Sequence, residues 1–485
     1  MKKSARIALH CLLAMVLTVP LAACGSDTKD TTPKKDMSAN TREQLAELAK
    51  SDERLTGELE NKTIKWMSDW DINSDDTGKT TPIELAVFQE RYGGQIEWYQ
   101  TTYGSRYDNL ANAINSDEGV DFFYGGNWDA FPKGAVRGMF VPYDNYIDLD
   151  SELWADVKDA NDAMMWNGGH YMAIVEVTGD NCAIIYNRKT MDENGLDDPY
   201  ELYKKDKWDW DTFMDMMKTF VSNAKDGETR YGINGWFGQA MVQSTGETFV
   251  KYDGTKFSNN ISSPAIEEAE GVMEEIMSLG LYDPTWYGYL PDDGSTLFFG
   301  MADWALGASN VKADPKPDYE DNGYVEENDL MIVPFPKQPG SDEYYLNCNF
   351  GAKMLVKNSD KGAAVAAYIK CERLASMIDE YKDAAKEKAI IPEVNAQGKL
   401  KSYVTEEQYD ALQDYKDPKN ITPVFDFGYG MGSRMYGDGE YTYETRGVMN
   451  NLTSALLNGD KDSWAVLRDE WSSVIDEVID GYNNK

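Results

Sequence analysis

Residues 95–128 read QIEWYQTTYGSRYDNLANAINSDEGVDFFYGGNW, and the order of patterns within them decides the fold class. QIEWY alternates as a strand does, YDNLANAIN repeats its apolar residues at helical spacing, and VDFFYG is an apolar strand that ends in a loop carrying Asn127 and Trp128. Upstream, TIKWMSDW (63–70) is a further strand, and Thr81-Pro82-x-Glu84 starts a helix that stops at Gly93-Gly94. Strand, helix, strand, helix, strand is the rhythm of a parallel sheet covered by helices, an α/β fold.

The rhythm continues along the chain. HYMAIV (170–175) and NCAIIYN (181–187) read as strands on either side of Thr178-Gly179-Asp180, and DWDTFMDMMKTFVSNA (209–224) as an amphipathic helix. FVKYDGTKF is a hairpin, SPAIEEAEGVMEEIMSLG a helix, and MADWALGAS (301–309), LMIVPFP and GAKMLVK are further strands. GAAVAAYIKCERLASMI, TEEQYDALQDY, YETRGVMNNLTSALLNG and the stretch bearing Trp464, Leu467, Trp471, Val474 and Val478 are helical, and the tryptophans there are at core spacing. A chain of 485 residues exceeds one ordinary core, and no Pro/Ser-rich linker divides it, so two or three lobes are expected to share it by crossing back and forth.

The amino terminus has cations at Lys2, Lys3 and Arg6, then an apolar run too short, and broken too soon by Pro20, to span a bilayer. Its ending, Leu21-Ala22-Ala23-Cys24, resembles the bacterial lipobox. By that resemblance residues 1–23 are a signal peptide and Cys24 is the lipidated first residue of the mature chain. The segment 25–36 has no apolar residue and is expected to be a tether. Asn40-x-x-Glu43 can cap a spacer helix with Leu45, Leu48 and Leu55 on one side, and the anchored tether and spacer take up residues 24–60. The formal net charge of −37 argues against a nucleic-acid partner. Past the signal segment Cys182, Cys348 and Cys371 remain, without CxxC spacing, and His170 is the only histidine, so a histidine-ligated metal cluster is excluded within one chain. DWDINSDDTGKT has acids at alternate positions, but Ser74 and Thr80 stand where a calcium loop needs glycine and glutamate, and no metal is assigned.

FQERYGGQIEWY, YDNLANAINSDEGVDFFYGGNWDAF, GMFVPYDNYID, WNGGHYMAIVEVTGDNCAIIYNRKTMDENGLDDP, WDWDTFMDMMKTF, GYLPDDGSTLFFGMADWALGAS and LLNGDKDSWAVLRDEWSSVIDEVI, in this order and behind a lipobox, resemble the extracellular solute-binding proteins of ATP-driven importers. The resemblance is to their carbohydrate-binding group, which includes maltose-binding protein. It implies a two-lobed periplasmic-binding-protein-like α/β fold with hinge crossovers, a ligand cleft between the lobes, and no catalysis and no cofactor. Transferred to this chain, lobe 1 holds 61–178 and 347–395 and lobe 2 holds 179–346 and 396–485. Thr178 to Asp180, the YYLNCNF region and the stretch after Ile391-Pro392 would be the hinges. The implied partners are a sugar, the transmembrane permease of an ABC transporter and, through the lipid, a membrane, with the protein acting as a monomer outside the cytoplasmic membrane.

Sugars present apolar C–H faces and a ring of hydroxyls, so their sites pair aromatic plates with amides and carboxylates. Loops at the carboxyl ends of parallel strands are where such groups converge. These loops nominate Asp69, Trp70 and Asp71, Asn127 with Trp128, Trp236 with Phe237, and Ser309 with Asn310. Glu176 beside the hinge, Tyr443, and Arg434 with Tyr436 are further candidates. A loop tryptophan can equally plug its lobe, and exposed acids can be merely solvated. Two other functions fit the same composition: a surface-anchored glycoside hydrolase, which needs two carboxylates flanking a bond, or the same fold holding a peptide or polyamine.

Overall fold

The computed structural model describes residues 38–73, 81–125, 130–178, 183–301, 303–313, 329–394, 400–417, 419–437 and 442–485. The chain enters through helix Ala39–Ser51 (α1), capped by Ser38, whose side chain accepts from the Thr41 amide, rather than by Asn40. Leu45, Ala49 and Leu55 are buried, and the Tyr381 hydroxyl donates to Asp52 at 2.9 Å.

Strand Thr63–Ser68 (β1) pairs in parallel with Gln95–Gln100 (β2) along its whole length and with Phe122–Tyr124 (β3) at Trp66↔Phe122 and Met67↔Phe123. The connections are helices Ile83–Tyr92 (α2) and Arg106–Ser116 (α3). At the end of α2 Gly93 takes a φ of 65°, a left-handed conformation that glycine adopts without strain, and the helix stops there. Phe140–Val141 (β4) and Ala173–Thr178 (β5) complete the first half of this sheet.

The chain then builds a second sheet from Ala183–Asn187 (β6), Tyr231–Gly235 (β7), Tyr282–Asp283 (β8), Thr296–Met301 (β9) and Leu330–Pro334 (β10), in the order β8-β7-β9-β6-β10. β7, β8 and β9 are mutually parallel, and β6 runs antiparallel to β9 and β10. Helices Trp210–Ser222 (α4), Gly238–Gln243 (α5), Pro264–Ser278 (α6) and Trp304–Ala313 (α7) belong to this half. Tyr345–Asn347 (β11) leads back, and Asn349–Val356 (β12) re-enters the first sheet between β3 and β4, with β5 also paired to it. Gly362–Met377 (α8) packs on the first sheet, Asp379–Ala389 (α9) packs on α8, α2 and α1, and Glu406–Lys416 (α10), with a Thr405/Gln408 capping box, returns to the second sheet. Strand Thr422–Val424 (β13) pairs with β11, and helices Val448–Ser454 (α11) and Trp464–Asn483 (α12) close the fold.

Ile64, Trp66, Phe88, Phe122, Val175, Tyr368 and Leu374 bury one face of the first sheet under α2 and α8. Met67, Phe123, Ile174 and Met354 on the other face join the core of the second sheet. Three expectations are corrected. MADWALGAS is not a strand: TLFFGM just before it is β9, and α7 starts at Trp304. YETRG is not helical, because Gly447, at φ 82°, stops the chain from joining α11 before Val448. HYMAIV is not one strand: His170 ends a two-residue strand, Gly169–His170, paired with Met165–Trp166, and the strand of the first sheet begins at Ala173. Short apolar runs satisfy both periods, and long-range pairing decides between them. Among the described residues no helix is long and apolar enough to cross a membrane.

Candidate functional site

Topology aims both sheets at one junction. In the first sheet Thr178, the last residue of β5, stands opposite Asn349, the first of β12, so the end at which β1 and β3 finish is also the crossover end. In the second, Ala183 at the start of β6 is opposite Met301 and Pro334, the last residues of β9 and β10. Loops at the carboxyl ends of β1, β3, β7, β8 and β9 therefore all open toward the crossovers.

On the first side, Ser68 shapes the exit of β1. Its carbonyl accepts from Trp98 Nε1 at 2.9 Å, and its hydroxyl accepts from the Trp70 amide at 3.2 Å. The turn puts Asp69 in solvent and leaves Trp70 41% exposed, edge-on to Trp66 at 5.5 Å and to Tyr124 at 6.5 Å between ring centroids. Asp71 turns the other way: its Oδ1 accepts from the Asn73 amide at 3.0 Å and from Asn73 Nδ2 at 2.9 Å, which makes it a turn residue. Asn127 and Trp128 lie outside the described residues, as do Cys24, the tether, Ser74 and Thr80.

Behind Trp70 lies a set of ionisable groups. Lys353, in β12 and only 4% exposed, places Nζ 2.7 Å from Glu372 Oε1 on α8 and under the faces of Trp66 and Tyr124, 5.7 and 5.6 Å from their centroids. Burial first, and then the Glu372 charge, push the Glu84 carboxyl in the first turn of α2 up to about 7. Glu176, near the end of β5, reaches solvent but is crowded by protein. Desolvation raises its carboxyl above the usual range; Lys416 acts against this, and Glu372 and Asp303 reinforce it. Lys416, the last residue of α10, is itself tied to Asp303 at 2.6 Å.

On the second side, Trp236 follows β7, is half-buried, and donates its backbone N–H to the Gly300 carbonyl at 2.9 Å. Phe237 points inward, 1% exposed and stacked on Phe335 at 6.2 Å. Asn234, buried beneath, donates its side-chain amide to the carbonyls of Asp283 (2.9 Å) and Thr285 (2.6 Å), fixing the loop after β8. That loop presents Trp286, 58% exposed, and Tyr287, 38% exposed, and Trp304 at the start of α7 is 56% exposed.

Ser309 and Asn310 are fully buried. The Ser309 hydroxyl donates to the Ala305 carbonyl, and the Asn310 amide donates to Tyr403 O and Gln408 Oε1, both at 2.8 Å. Asn310 thereby holds α7 against α10, and the Ser309 hydroxyl also accepts from the Leu290 amide at 2.9 Å; the stretch expected as strand and loop is a helix that turns both inward. Tyr443 precedes α11 and receives the Trp471 indole N–H at 3.1 Å. Arg434 pairs with Glu477 at 2.9 Å, and the Tyr436 hydroxyl meets that of Tyr103 at 3.2 Å. His170 is held between Asp144 and Asp162, a structural role.

Residues 71–371 match the family described as bacterial extracellular solute-binding protein. This chain belongs to that family. Solved structures similar to the solute-binding protein include a cyclic alpha-maltosyl-1,6-maltose binding protein from Arthrobacter globiformis, with 16% identity, a TM-score of 0.60, and coverage of 87% of this chain and 99% of that one. A sugar transporter from Rhizobium etli in an open conformation aligns with 15% identity, a TM-score of 0.59, and coverage of 85% and 99%. An ABC transporter associated binding protein from B. animalis subsp. lactis, in complex with beta-1,6-galactobiose, aligns with 16% identity, a TM-score of 0.54, and coverage of 87% and 98%. At such identities the likeness establishes the two-lobed fold. No curated protein sequence matches the solute-binding protein.

Sequence reasoning missed Trp286, Tyr287, Trp304, Glu84, Lys353 and Glu372 in the solute-binding protein. A signal existed for Lys353, a lone cation inside the apolar run FGAKMLV. Trp304 would have been found had α7 been read as a helix, since its first residue then falls in the loop after β9. For the Glu84–Glu372 neighbourhood no local signal exists, because the two residues belong to helices far apart in the chain.

Proposed function

We propose that the protein captures an extracellular carbohydrate, a mono- or oligosaccharide, between two α/β lobes and delivers it unchanged to the transmembrane permease of an ABC transporter. The observation that carries this reading is the placement of exposed aromatic rings at both carboxyl edges: Trp70 on one side, Trp286, Tyr287 and Trp304 on the other. Such rings cover the apolar faces of a sugar, and Asp69, Glu176 and the Asp303–Lys416 pair offer groups for its hydroxyls. Membership of the family and the sugar-binding neighbours support the same reading. Lobe 1 would comprise 61–178 and 347–395 and lobe 2 179–346 and 396–485, in line with the membership of the two sheets.

The lobes close about the crossovers, burying the ligand, and the closed form is what a permease would read. Micromolar affinity, about −8 kcal/mol, suits a pocket that must also release its guest. The body is monomeric and held outside the cytoplasmic membrane by lipid on Cys24. Trp70, Asp69, Trp236 and Glu176, together with Asn127 and Trp128, are the residues assigned to the ligand in this reading. A thermal-shift screen against mono- and oligosaccharides, polyamines and peptides tests the reading. Stabilisation by a sugar that chromatography then recovers intact is the expected result. Release of reducing ends would instead favour a hydrolase using carboxylates such as Glu84 and Glu372, and stabilisation by a polyamine or peptide alone would replace the sugar.

A further inference from the structure

The Lys353–Glu372 pair is costly to bury. Taking two charges out of water seldom yields net stability, and a well-packed apolar pair of the same volume commonly does as well or better. Lys353 is only 4% exposed and lies on the face of β12 that packs against Trp66, so an apolar side chain would suit β12 at this position. Its ammonium has three partners instead: Glu372 at 2.7 Å, the Trp66 ring at 5.7 Å and the Tyr124 ring at 5.6 Å. Trp66 is fully buried, and among the described residues its Nε1 has no hydrogen-bond partner, so no N–H bond there sets the orientation of that ring. Packing against Phe122 at 4.8 Å and the cation at its face do so. Trp70 in turn stands edge-on to Trp66 and Tyr124, with interplanar angles of 67° and 80°.

We infer that Lys353 is a positioning residue: its ammonium, tethered to Glu372, holds the Trp66 and Tyr124 rings in the orientation that presents Trp70 to the cleft. This rests on the reading of the cleft as the ligand site. The pair links four elements, β12, α8 and, through the rings of Trp66 and Tyr124, β1 and β3, so the charge adds to packing in setting the angle of the aromatic wall.

Removing Lys353 alone would leave Glu372 unpaired, so the test uses the double variant Lys353→Met/Glu372→Gln beside Lys353→Arg, with Trp70→Phe as a spectroscopic reference. In the free protein the Trp66–Trp70 edge-to-face pair, 5.5 Å between centroids, is expected to give an exciton band in circular dichroism that Trp70→Phe removes. The double variant is expected to lose most of that band at an unchanged or higher melting temperature, and Lys353→Arg to keep it. Affinity for maltotetraose, as probe, is expected to fall about tenfold in the double variant and to be largely kept in Lys353→Arg. A band unchanged in the double variant, or lost from both variants in step with a lower melting temperature, overturns the inference. A wild-type protein that binds no maltotetraose or other sugar counts against the carbohydrate reading, and the circular-dichroism result still decides this one.

Discussion

Trp236 and Phe237 are neighbours in sequence with opposite fates, and the same contrast separates Asp69 from Asp71. Alternation at the end of β7 turns Phe237 onto Phe335 and leaves Trp236 at the edge, while Asn73 claims the carboxylate of Asp71 and Asp69 stays in solvent. Substitution should separate these roles. Trp304→Ala and Trp286→Ala, both removing rings that are more than half exposed, are expected to weaken sugar binding about tenfold each by calorimetry, with little change in melting temperature. Phe237→Ala is expected to cost about 3–5 kcal/mol of unfolding free energy in urea, a stability effect first and a binding effect second. Which aromatic residues stand exposed or half-buried at the carboxyl ends of the strands was only half legible in the sequence. Trp70 and Trp236 follow readable strands, whereas Trp304 follows a strand boundary that local pattern misplaces.

Elements meet where two charges or two backbones come closest. α2 and α8 bring Glu84 beside Glu372, and the Glu84 carboxyl rises to about 7 against 4.5 for the free side chain. Folding therefore favours its protonated form. Its contribution to stability is fully present below about pH 4.5 and is lost as pH rises through about 7. The difference in unfolding free energy between wild type and Glu84→Gln should accordingly shift against wild type from pH 5 to pH 8; a difference independent of pH would remove Glu84 as the titrating group. α5 and α11 show the backbone case: a Cβ at Gly238 would lie 1.8 Å from the Thr453 carbonyl oxygen. Gly238→Ala is expected to cost about 3 kcal/mol in urea unfolding, because backbone cannot step aside as a side chain can.

At the scale of the whole molecule, closure about the crossovers predicts a smaller radius of gyration on adding the sugar that stabilises the protein, read by small-angle scattering; an unchanged radius at saturation would argue for a cleft already closed. Most of the order of strands and helices, the resemblance of the amino terminus to a lipobox, the shortage of histidine and the resemblance to solute-binding proteins could be read from the sequence by itself. These properties reside in local periodicity, in spacing and in residue identity. Only the tertiary structure decided that MADWALGAS begins a helix, that Ser309 and Asn310 serve the core, and that Lys353 lies beneath the rings behind Trp70. The physical reason is that burial and charge pairing depend on partners distant in the chain. Lys353 and Glu372 are 19 residues apart, and Asn310 and Gln408 are 98 apart, so no window of sequence holds both halves of either interaction.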